Sequence, residues 1–188
     1  LTFFSKEEIK SLSHNTKEKF NFMIIIGVDP GTRITGIGII QHENNRSKVL
    51  YYGTIKPPPK APLEKKYYAI FTALDHLLLK FKPQFLAVET QFVNKNVQSA
   101  IKLGMARGAC LIAAAKHDVS VKEYAPTLAK KAVVGKGHAS KLQVQKMVKI
   151  LLNLDALICE DTSDALALAL CHAHSSHLNE KLQNLLGR

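Results

Sequence analysis

The sequence predicts an α/β fold: a mixed five-stranded sheet whose first three strands are antiparallel, with helices on both faces. Three observations carry this. Three apolar, β-branched runs between residues 23 and 55 are joined by short polar connections, the pattern of an antiparallel meander. Beyond residue 62, helical and strand periodicities alternate, which requires crossover helices on the faces of a sheet. The runs 23–29 and 85–89 are apolar almost throughout, as strands covered on both sides are.

Taken in order, residues 1–22 are polar, rich in Lys, Glu and Ser, and carry no sustained apolar face. They read as a flexible extension, or as an upstream start preceding Met23; residues 23–177 read as one domain and 178–188 as a tail. Residues 23–29 (MIIIGVD) form a short buried strand ended by Pro30-Gly31. Residues 35–41 (TGIGIIQ) form a second, with glycines that allow close backbone approach. Residues 44–47 are a turn, and 48–55 return as a third strand. The KPPPKAP run at 56–62 is a stiff connector. Residues 63–82 are apolar at helical spacing (Tyr67, Ile70, Phe71, Leu74, Leu77, Leu78, Phe81) and stop at Pro83. A strand at 85–89 ends on Glu89. A helix rich in Ala and Gly spans 97–117, a fifth strand 119–124, and a short helix 126–134. Ser140 caps a helix reaching residue 152. The last helix spans 161–177, with Ala165, Leu166, Leu168, Ala169 and Leu170 inward.

The 188 residues suit one α/β domain, and a composition 46% hydrophobic and 22% charged excludes a disordered chain. The 26 Lys and Arg outnumber the 15 Asp and Glu, for a net charge of +11. Such an excess points to a polyanionic partner, nucleic acid or an anionic membrane surface. Residues 1–22 hold only four of the basic and three of the acidic residues, so the basic character belongs to the main domain. Cys110, Cys159 and Cys171 are odd in number and form no C-x-x-C, which argues against a disulfide framework and fits a reducing, cytoplasmic setting. No apolar stretch reaches membrane-spanning length, and the run at 20–28 has no small-residue cleavage site of a signal peptide.

Asp29 ends one apolar strand and Glu89 another, while Asp161 and Asp164 stand three apart at the start of a helix and so share a face. Acids at the carboxyl edge of an open α/β sheet occupy the place where such sheets hold their sites. Clustered carboxylates repel unless a cation holds them, and hard Mg²⁺ or Mn²⁺ is the natural counter-charge. Two such ions roughly 4 Å apart can activate water and stabilise the leaving oxygen of a phosphodiester. Each acid also has a plainer reading: Asp29 as a turn residue before Pro-Gly, Asp161 as an N-cap, Asp164 as a first-turn acid. Glu160 competes with Asp161, because Glu160 and Asp164 are also one helical turn apart.

Four segments together carry a family likeness: IIGVDPGTRITGIG (25–38), AVETQFVNKNVQSAIKLGMARG (87–108), EYAPTLAKKAVVGKGHASKLQVQ (123–145) and EDTSDALALA (160–169). In this order they resemble the RuvC family of Holliday-junction resolvases, collinearly from Met23 to about His177. The resemblance implies an RNase H-like fold, a homodimer, and metal-dependent symmetric nicking of four-way DNA junctions during recombination and repair. It implies Asp29, Glu89, Asp161 and Asp164 as catalytic and metal-binding acids, with two Mg²⁺ per subunit and Mn²⁺ as a substitute. The family's D-x-x-D spacing selects Asp161 over Glu160. Phe92, Lys130 and Lys141 map onto family DNA contacts, and Lys95 lies in the same stretch as Phe92. Branch-migration proteins of the RuvA and RuvB type are the implied partners. Two departures stand out: Thr90-Gln91 after the glutamate in place of Gln-Val, and Lys131 beside Lys130.

An aromatic such as Phe92 can wedge between bases or pack under a helix. Lys130, Lys131, Lys136, His138 and Lys141 crowd a helix–loop–helix stretch, where they suit phosphate neutralisation better than a merely solvated face. Cys171, His172, His174 and His177 are spaced wrongly for a zinc site and read instead as cationic histidines at a helix end. Rival readings are a catalytically silent junction-binding module, an RNA-processing nuclease of the same fold, and an actin-like ATPase, whose fold repeats its domain and needs more than these 188 residues.

Overall fold

A computed structural model describes residues 22–90 and 97–186. Its strands are β1 (Met23–Asp29), β2 (Thr35–Glu43), β3 (Arg46–Ile55), β4 (Phe85–Glu89) and β5 (Ser120–Tyr124). Its helices are α1 (Leu63–Phe81), α2 (Val97–Lys116), α3 (Pro126–Val134), α4 (Lys141–Leu151) and α5 (Glu160–Leu186). The sheet order is β3-β2-β1-β4-β5. The first three strands pair antiparallel, and β1–β4 and β4–β5 pair parallel, as the sequence pattern predicts.

β1 is the hinge of the sheet, and its side chains enter two separate cores. Ile25 joins a cluster with residues of α3, α4 and α5; Ile26 and Val28 join one with residues of α1 and α2. All three are 0% exposed. Each such side chain contributes about 1.5–3 kcal/mol through burial, which fixes both the strand and its register.

The β2–β3 hairpin is tighter than the sequence suggests. Glu43 pairs with Arg46, leaving a two-residue turn. Asn44 and Asn45 have φ of 47° and 63°, the left-handed conformation that Asn tolerates and a tight hairpin needs. The Ser140 cap closes a full capping box: Gln143 N–H donates to Ser140 Oγ at 3.3 Å, and Ser140 N–H to Gln143 Oε1 at 2.8 Å.

α5 is longer than its apolar pattern indicates. It runs past residue 177 to Leu186, because neither Pro nor Gly interrupts the chain before Gly187. Its segment from Ala165 to Ala173 is fully buried against the sheet. Glycines make that approach possible. A Cβ on Gly27 would strike the Ala165 carbonyl, one on Gly36 the Asp161 carbonyl, and one on Gly38 the Leu166 side chain. The first turn of α5 therefore rests directly on β2, and the turns that follow on β1 and β2.

Candidate active site

Asp29 is the last residue of β1, and its register partner on β2 is Gly36. Because Gly36 admits the backbone of Asp161, the first turn of α5 is brought to the end of β1. β4 runs parallel to β1 and ends on Glu89, which pairs with Tyr124 of β5. The turn after Asp29 is locked by Thr35, which is fully buried. Its hydroxyl donates to the Gly31 carbonyl at 2.9 Å and accepts from Gly31 N–H at 3.2 Å.

The electrostatics show which acids this folding assembles. Burial, reinforced by Asp164, Glu89 and Asp161, pushes the Asp29 carboxyl up from 3.8 to about 7, against a lowering influence of Lys141. Glu89 is raised by burial and by Asp164, with Lys130 opposing. Asp164 is raised chiefly by burial; Lys141 and Lys130 counter, and Glu160 and Asp161 add repulsion. Asp29 thus lies within electrostatic reach of Glu89, Asp161 and Asp164 at the carboxyl end of β1.

Glu160, the open competitor, is engaged elsewhere. It is exposed, and its Oε2 accepts from Lys141 Nζ at 2.6 Å. Beside the acids, a cleft of about 250 Å³ is lined by Glu89, Asp164, Lys130, Lys141 and apolar residues of α3, α4 and α5. Lys130 is in that lining and half-buried, whereas Lys131 points to solvent. Phe92 and Lys95 lie outside the described residues, as does the side chain of His177.

Oxygen-only donors whose charges repel in a partly buried setting fit a hard divalent cation, which would reverse the upward shifts. Among the described residues, no group of three or more His, Cys, Asp or Glu side chains already has the arrangement of a metal-holding set.

His172 on α5 is not part of a cationic helix end. His172 is buried well within the helix, and burial, aided by Lys122, drives its pKa from 6.5 down to about 4. As a neutral ring it shares a hydrogen bond with Tyr124 Oη at 2.6 Å through Nδ1 and packs on Phe85, ring centroids 4.4 Å apart. His174 is exposed and lies 3.2 Å from the Ala132 carbonyl. Cys110 and Cys171 are buried thiols held up at about 12 and about 11, and therefore unreactive at neutral pH.

Two features at this edge carry no motif of their own. One is the Lys141–Glu160 pair; only the Lys at 141 and the acid at 160 hint at it. The other is Gly27 on β1, whose apolar surroundings conceal that it faces a helix backbone.

A mixed sheet with an acidic carboxyl edge and lysines beside it defines a nuclease-type site for phosphodiester chemistry. The comparisons with known proteins narrow this. The family model described as crossover junction endodeoxyribonuclease RuvC matches residues 25–172. The crossover junction endodeoxyribonuclease RuvC of Protochlamydia amoebophila is 50% identical over 161 residues, spanning 85% of this chain and 96% of that protein. That of Citrifermentans bemidjiense is 46% identical over 163 residues, spanning 87% and 99%. The structure of Thermus thermophilus RuvC in complex with Holliday junction substrate superposes with a TM-score of 0.79 at 33% identity, covering 84% of this chain and 96% of that one. The chain belongs to the RuvC family, metal-dependent nucleases with an RNase H-like fold.

Proposed function

We propose that this protein resolves Holliday junctions by nicking two strands symmetrically in recombination and DNA repair, with Asp29, Glu89, Asp161 and Asp164 as the catalytic acids. The convergence of these four on one sheet edge, next to a cleft lined by Lys130 and Lys141, carries the reading. The same four residues would hold two Mg²⁺ ions, with Mn²⁺ able to substitute; bound there, the ions would activate water and neutralise charge on the leaving oxygen.

The chain's own groups do the positioning. Lys130 and Lys141 meet backbone phosphates from α3 and α4 and hold the strand against the acids. The Thr35–Gly31 lock keeps Asp29 at a fixed height above the sheet. Phe92 and Lys95, which follow Glu89 in the chain, are proposed as further DNA contacts.

A homodimer is supported by α2. Val97, Ile101, Met105 and Ile112 are 61%, 57%, 50% and 64% exposed and fall on one face, where Gly108 leaves open space. A second copy of the same stripe is its natural cover, and two-fold symmetry then supplies two sites for opposite strands. Partnership with branch-migration proteins of the RuvA and RuvB type, and action in the cytoplasm, accompany this reading. Among the described residues, no helix is long and apolar enough to cross a membrane.

The acids are tested by comparing Asp161→Asn with Glu160→Gln on a synthetic junction in Mg²⁺. Asp161→Asn should drop to the metal-free background, and Glu160→Gln should retain most activity. The opposite ranking would move the third acid to position 160.

A further inference from the structure

A second basic groove opens on the other flank of the acids. It measures about 420 Å³ and is lined by Thr32, Arg33, Pro57, Pro59 and Lys66. Thr32 and Arg33 stand three and four residues past Asp29. Pro57 follows β3, whose last residue Ile55 pairs with Thr35 at the start of β2. Lys66 lies in the first turn of α1. The groove therefore sits at the same sheet edge as Asp29, toward β3 and α1, whereas Lys130 and Lys141 approach from the α3–α5 side.

Three features mark it as a site for an anion. Its lining holds two cations and no carboxylate, and none of the ion pairs among the described residues uses Arg33 or Lys66. Lys66 stands at a helix N-terminus, where the positive end of the macrodipole disfavours a cation but favours a bound anion. Pro57 and Pro59 have fixed φ, so that wall is stiff before anything binds.

Building on the proposed function, we propose that Arg33 and Lys66 bind backbone phosphates of the substrate DNA strand beyond the cut. The strand is then held on both sides of the acidic edge, by Lys130 and Lys141 before it and by this groove after it. Such a grip keeps the scissile phosphate in register against four repelling carboxylates.

The experiment measures junction affinity in EDTA over a range of salt concentrations. The variants are Arg33→Gln with Lys66→Gln, and, as a control of equal charge loss at the far end of α1, Lys80→Gln with Lys82→Gln. Losing two phosphate contacts should reduce the slope of log affinity against log salt by about 1.8, while the control keeps the parent slope. The charge-conserving pair Arg33→Lys with Lys66→Arg should keep it as well. An unchanged slope in the first pair, or an equal fall in the control, overturns the proposal. Junction nicking by the parent protein in Mg²⁺ separately tests the function on which it rests, and the slope comparison on plain duplex still reports on the groove if that nicking fails.

Discussion

At the residue scale, Asp29 decides most. Its folded pKa is raised from 3.8 to about 7, so between these values the native protein holds more protons than the unfolded chain. Stability without metal must then fall as pH rises through that window, by a few kcal/mol in all. Asp29→Asn removes the ionisation. In metal-free buffer at pH 8 this variant should melt several degrees above the parent, and the gap should close as pH falls toward 4. Parallel melting curves at every pH would show that Asp29 is not held against its charge. The same variant should lose cleavage, as expected where stability is given up for function. Asp29 and Glu89 were legible in the sequence because each terminates an apolar strand. Helical spacing alone admits both Asp161 and Glu160, and the family's D-x-x-D spacing selected Asp161; the exposed Lys141–Glu160 pair is consistent with that choice. The family contact mapped onto Lys130 with Lys131 adjoining it; α3 places Lys130 in the lining of the cleft and leaves Lys131 exposed.

At the element scale, α5 carries two of the acids, Asp161 and Asp164, and is seated on β1, which ends on a third, Asp29. Gly36→Ala would drive a methyl group into the Asp161 carbonyl, a rigid backbone neighbour. The expected cost is about 1–3 kcal/mol of stability, read from urea unfolding. A displaced first turn of α5 should also slow cleavage by about a hundredfold. Unchanged stability and rate would mean that α5 is not seated through this glycine. Strand and helix identities were readable because hydrophobic period and turn residues agree over long stretches. The end of α5 was not, because its apolar pattern fades where its backbone continues. His172 was misread for a related reason: whether a histidine is cationic depends on burial against Phe85 and Tyr124, elements 48 and more residues away. Helix-end logic applies only where the helix ends.

At the scale of the whole molecule, a net charge of +11 is arranged around an acidic edge. The cations proposed on its two sides, Lys130 with Lys141 and Arg33 with Lys66, would attract the polyanion to it. In the proposed homodimer the apolar stripe on α2 brings two such edges together. Ile101→Glu with Met105→Glu should convert a dimer into a monomer in sedimentation, and paired nicks should give way to slow single ones. A variant that remains dimeric would place the interface elsewhere. The central claim is that this acidic edge cuts branched DNA with divalent metal. The direct measurement is incubation with a four-way junction and a duplex of matched sequence, each in Mg²⁺ and in EDTA. Symmetric nicks confined to the junction and to Mg²⁺ are predicted; an intact junction in Mg²⁺, or equal cutting of the duplex, would contradict the account.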